Sequence, residues 1–122
     1  MILADSSVWF DHLRSGNPAM DRLLKSGQVA MHPFVLGEVA LGHLRPRDAI
    51  LEMLQSLPFT EVAENGEVLQ FIERYRMFGT GLGYVDVHLL TSAALTFCGL
   101  WTRDKRLRGT AQKLGIVAKG LE

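Results

Sequence analysis

Short apolar runs recur along this chain, and segments with helical spacing fill the gaps between them. MILA at the start, QVAMH, LPFTEV, GLWT and IVAKG are the strand candidates. Helical spacing of apolar residues follows MILA through Val8, Trp9 and Leu13, with Ser6 or Ser7 as the expected cap. SGNP ends that helix, and a second carries Met20, Leu23 and Leu24 up to Gly27. Pro33 suits the first turn of a third helix holding Phe34, Val35, Glu38 and Val39. Further helices follow Pro46, follow Asn65 as a cap, run through YVDVHLLTSAALTF, and start at Asp104. Alternation of this kind over the whole length predicts an α/β sandwich, with a mostly parallel central sheet flanked by helices. The 122 residues fit one domain, 1–122, without repeats or linkers.

Open parallel sheets bind ligands at the carboxyl ends of their strands, near the switch in strand order. That rule gives meaning to the acidic residues. Asp5 directly follows MILA, and Asp104 follows GLWT within WTRDKRL. Glu38 lies one turn into the helix after Pro33, and Asp86 opens an apolar helix within GYVDVHLL. All four positions fall toward the same sheet edge. Each alone suits a cap or a turn, but neighbours such as Val85, Val87, Leu89 and Leu90 make a merely solvated face a poor account of Asp86.

Converging carboxylates raise one another's pKa and destabilise a fold. A hard divalent cation removes that cost. Mg²⁺ and Mn²⁺ prefer oxygen ligands, and Mg²⁺ keeps several waters while also binding phosphate oxygens. An acidic set without His or Cys at zinc spacing therefore points to metal-dependent phosphate chemistry. His12, His32, His43 and His88 form no zinc pattern.

Composition adds mainly exclusions. Formal charge is zero, so no global field favours nucleic acid or membrane. The one cysteine, Cys98, excludes an internal disulfide and suits a reducing compartment, where it is expected to pack as a buried thiol. No secretory signal and no run of roughly 18 apolar residues is present, so a cytoplasmic protein with no membrane span is expected.

MILADSS, a Glu in the helix after the second strand, GLGYVDVHLLTSAAL and WTRDKRL together resemble the PIN domain, and most closely the VapC-type toxins of bacterial toxin–antitoxin pairs. The likeness covers nearly the full length, and residues 43 to 78 carry little of it. It implies a three-layer α/β sandwich and a Mg²⁺- or Mn²⁺-dependent endoribonuclease that inhibits translation or growth. It also implies an RNA substrate, a homodimer and a small cognate antitoxin. On this chain the acidic site would be Asp5, Glu38, Asp86 and Asp104. Asp5 and Asp86 would hold the metal directly, and Asp104 would hold it through water. Glu38 would position or deprotonate the attacking water. Ser6 and Thr102 would orient carboxylates or waters.

Near this set, Arg103, Lys105, Arg106 and Arg108 either grip RNA phosphates or form a solvated helix face. Trp9 and Tyr84 either stack on an unpaired base or belong to the core, and the core is the expected place for both. GTGLG reads as a hinge loop before Asp86. A PIN-like module that binds RNA or protein without cleaving is the alternative, and the intact acidic set argues against it. A phospho-acceptor receiver would want paired acids after the first strand, where Asp5-Ser6-Ser7 stands. A haloacid-dehalogenase-like phosphatase would want a second Asp where Ser7 stands.

Overall fold

The computed structural model describes residues 1–121. Its elements are β1 (Ile2–Ala4), α1 (Ser6–Ser15), α2 (Pro18–Lys25), β2 (Val29–Ala30), α3 (Pro33–Ala40), α4 (Arg47–Gln55), α5 (Asn65–Arg74), α6 (Tyr84–Thr96), β3 (Gly99–Trp101) and α7 (Lys105–Lys113). The three strands form a parallel sheet in the order β2-β1-β3. Ile2 pairs with Val29 on one side and with Gly99 on the other, and Ala4 pairs with Trp101. The result is the α/β sandwich expected from the alternation. The chain leaves β1 for β2 on one flank and returns to place β3 on the other. The switch in strand order therefore falls between β1 and β3, where Asp5 and Thr102 emerge.

The sheet is shorter than the apolar runs suggest. LPFTEV and IVAKG contribute single parallel bridges, Met31 with Phe59 and Leu100 with Val117. Backbone chemistry explains the first. Pro58 has no N–H to give, while the amides of Glu61 and Ala63 donate to Thr96 Oγ1 and Ser92 Oγ on α6 at 3.0 and 3.1 Å. Those donors are spent on a helix, not on a neighbouring strand.

Two caps also differ from expectation. Asp5 itself caps α1, and Ser6 is the first helical residue. Glu64 caps α5 through a capping box with Glu67. Asn65 turns its side chain instead to α6, where Oδ1 accepts from the Tyr84 hydroxyl at 3.1 Å.

The core gathers around β1 and α6. Leu3, Val8, Trp9, Met31, Leu89, Leu90, Leu100 and Leu107 are all but inaccessible to water. In α6 every residue from Val87 to Ala93 is buried. A helix buried all round sits inside its fold rather than on it. Two of its hydroxyls are satisfied within the helix: Thr91 Oγ1 donates to the Val87 carbonyl at 2.8 Å, and Thr96 Oγ1 to the Ser92 carbonyl at 2.8 Å. That anchoring fixes where the first turn of α6, and with it Asp86, meets the sheet edge. Trp9 and Cys98 lie in the core as expected, with Trp101 beside them, whereas Tyr84 is 47% exposed. Burial pushes the Cys98 thiol pKa up, which keeps it protonated and inert.

Candidate active site

Asp5 is the most constrained carboxylate. It is 6% exposed at the end of β1, and its amide continues the sheet by donating to the Trp101 carbonyl at 3.0 Å. Oδ1 accepts from the Ser7 hydroxyl and, at 3.3 Å, from the Val8 amide. Oδ2 accepts from the Thr102 hydroxyl. A carboxylate offers about four lone-pair positions. Three donors aim the group and leave acceptor capacity for a cation.

Thr102 and Ser7 link this carboxylate to the loop after β3. Thr102 Oγ1, buried to 1% exposure, also accepts from the Asp104 amide at 3.1 Å. Ser7 Oγ accepts from the Arg103 amide at 3.0 Å. The hydroxyl that reaches Asp5 from its own helix is thus that of Ser7, while Ser6 lies half-buried beside it. The sequence held the signal: with Asp5 read as the cap of α1, Ser7 falls at the second helical position, next to the cap carboxylate.

Asp104 caps α7, and Oδ1 accepts from the amides of Arg106 at 2.9 Å and Leu107 at 3.1 Å. Both bonds use one oxygen, which leaves Oδ2 for another ligand. Asp86 stands in the first turn of α6, half-buried, and Glu38 is exposed on α3. Burial raises the Asp86 pKa, and the charges of Asp104, Asp5 and Glu38 raise it further. A backbone hydrogen bond from Gly83 opposes them only in part. Three carboxylates from three other segments therefore all act on Asp86.

A cleft of about 550 Å³ opens beside Asp86 and Asp104, and Gly81, Leu82, Lys105 and Arg106 complete its lining. Arg106 Nη1 donates to the Gly81 carbonyl at 3.3 Å, which pins the glycine loop to α7. Gly81 has φ +81°, a backbone conformation that calls for glycine. Arg103 instead pairs with Asp11 on α1 at 3.3 Å. The ion pairs found among the described residues, Arg103 with Asp11 and Lys25 with Asp21, leave the four carboxylates without a neutralising partner.

Among the described residues, no three His, Cys, Asp or Glu side chains form a ready cage for an ion. His32 is inaccessible, bonded to the Phe34 amide through Nδ1 at 3.0 Å and to Ser92 Oγ through Nε2 at 3.1 Å. His12 accepts from the Asn17 amide at 3.0 Å. Both are structural.

No family model matches the chain. Two relatives do, both called Ribonuclease VapC32, from Mycobacterium tuberculosis strains CDC 1551 / Oshkosh and ATCC 25618 / H37Rv. Each is 43% identical over 118 residues, which covers 96% of this chain and 95% of the relative.

Proposed function

The chain belongs to the VapC-type family of PIN-domain ribonucleases, and from that premise we propose that it is a divalent-metal-dependent endoribonuclease acting as the toxin of a toxin–antitoxin pair. The observation that carries the reading is that the charges of Asp104, Asp5 and Glu38 all bear on half-buried Asp86, with Asp5 and Asp104 standing just past the carboxyl ends of β1 and β3. An all-oxygen donor set with spare lone pairs suits Mg²⁺, with Mn²⁺ as a substitute. Asp5 and Asp86 would hold the ion directly, and Asp104 would hold it through water. When bound, such an ion supplies an activated water and offsets charge on the phosphodiester.

The side chains have distinct tasks in this reaction. Glu38, exposed on α3 and free to meet solvent, orients the attacking water and takes its proton. The water oxygen bonds to phosphorus, one P–O ester bond breaks, and the leaving oxygen takes up a proton. Thr102 and Ser7 hold the Asp5 carboxylate in place, and Ser6 beside them is available to waters. Lys105 and Arg106 border the cleft and meet phosphate oxygens, with Arg103 at its margin. Family membership also supports a small antitoxin, a homodimer and inhibition of translation or growth. No helix among the described residues is long and apolar enough to cross a membrane, and a cytoplasmic site of action agrees with the single buried thiol.

The test is incubation of antitoxin-free protein with host total RNA in Mg²⁺, Mn²⁺ or EDTA. Discrete fragments in either metal and none in EDTA support the reading. Equal cleavage in EDTA, or intact RNA from every host RNA class, overturns it.

A further inference from the structure

Two exposed aromatic rings stand on the helices that carry Glu38 and Asp86, and the catalytic reading leaves them without a task. Phe34 is 37% exposed and Tyr84 is 47% exposed. Both rest on one buried imidazole: His88 lies 4.9 Å from the Phe34 ring at 66° and 4.9 Å from the Tyr84 ring at 89°. Phe34 also packs on buried His32 at 4.9 Å. Asn65 Oδ1 ties the group from beneath, meeting the Tyr84 hydroxyl at 3.1 Å and His88 Nε2 at 3.2 Å. The rings are therefore held in place while each still offers surface to solvent. Such a pair loses little freedom when it meets a flat ligand.

Their position fits RNA. Phe34 lies four residues before Glu38 on α3, on the same helical face. Tyr84 shares a face of α6 with His88 rather than with Asp86, and His88 joins it to Phe34 and so to the face of α3 that carries Glu38. Lys105 and Arg106 border Asp86 from α7. The exposed rings thus border the face that carries Glu38, and the cations border Asp86, on which the Glu38 charge acts. Proteins that hold single-stranded RNA combine these two features, a basic track for the backbone and aromatic faces for unstacked bases.

We propose that Phe34 and Tyr84 form a stacking platform that receives an unpaired base of the RNA next to the scissile phosphate. The proposal rests on the ribonuclease reading.

Tryptophan fluorescence tests it separately from cleavage. Trp9 and Trp101 are buried, so Tyr84→Trp adds one exposed reporter. A single-stranded oligoribonucleotide is titrated against this variant and the parent in Ca²⁺, alongside an abasic oligomer of equal length. The expected result is quenching of the new emission by the RNA and not by the abasic strand. Tyr84→Ala and Phe34→Ala should each weaken oligoribonucleotide binding roughly tenfold, with Tyr84→Phe close to the parent. Quenching with no metal-dependent cleavage would keep the platform and remove the nuclease reading. Cleavage with unquenched emission, or with binding unchanged in both alanine variants, would overturn the platform and give this patch to a protein partner.

Discussion

The Thr102 hydroxyl donates to Asp5 Oδ2 across 97 residues of sequence, and it accepts the Asp104 amide on its other side. One buried oxygen thereby sets two of the four carboxylates relative to each other, at the point where β1 and β3 part. Thr102→Val keeps the shape and removes the hydroxyl. It strands a buried carboxylate oxygen and a backbone amide, at a cost of about 1–3 kcal/mol. Urea unfolding should show that loss, and RNA cleavage should fall at least tenfold. Thr102→Ser, which keeps the hydroxyl, should recover most of both.

Asp86 is strained by its own neighbours. Its folded pKa is raised above 3.8 by burial and by Asp104, Asp5 and Glu38. The folded protein therefore holds this proton more tightly than the unfolded chain does. That contribution to stability is present below the unfolded value and is lost as pH rises through the folded one. At pH 7 an ionised Asp86 is a net cost. Asp86→Asn should accordingly melt a few degrees above the parent in EDTA and lose activity. A lower melting point for this variant in EDTA would contradict the electrostatic account.

His32 works in the opposite direction. Burial, assisted by the His88 charge, lowers its pKa from 6.5 to about 4. Nδ1 accepts from the Phe34 amide, so protonation would break the cap of α3. The stabilisation is complete above pH 6.5 and is lost as pH falls toward 4. Nuclear magnetic resonance should find this ring neutral at pH 5. His32→Asn retains a capping acceptor, so it should flatten the decline in stability between these pH values while lowering stability at pH 7.

Gly99 opens β3 against the bridge to Val117. A Cβ there would lie 2.9 Å from Ala118 Cα and 3.3 Å from Ala118 N. Backbone at that distance cannot swing aside, so Gly99→Ala should destabilise by about 1–3 kcal/mol. Urea denaturation measures this, and activity of the remaining folded fraction should stay near the parent value.

The acidic residues were legible because strand ends in a parallel sheet share one edge, and a charge just after an apolar run stands out. Asp5 and Asp104 needed only that rule. Asp86 needed a second, that an apolar helix opening on a carboxylate places it at the core's margin. The supporting hydroxyl was harder. Ser6 and Ser7 differ only by one helical position, and the choice depends on which residue is the cap. The core place expected for Tyr84 is not the one it takes. On the helix it occupies the first position, before the buried stretch begins at Val87. LPFTEV resembles a strand by composition, but the amides of Glu61 and of Ala63 just after it are claimed by Thr96 and Ser92, and no local pattern reveals a partner some 30 residues away.

Direct measurement of Mn²⁺ binding tests the central claim, that these carboxylates form one cation site. Free Mn²⁺ is followed by electron paramagnetic resonance during titration of the parent, Asp5→Asn and Asp86→Asn, each confirmed folded by circular dichroism. The account predicts saturable binding by the parent and at least tenfold weaker binding by each variant. Equal binding by all three folded proteins would contradict it.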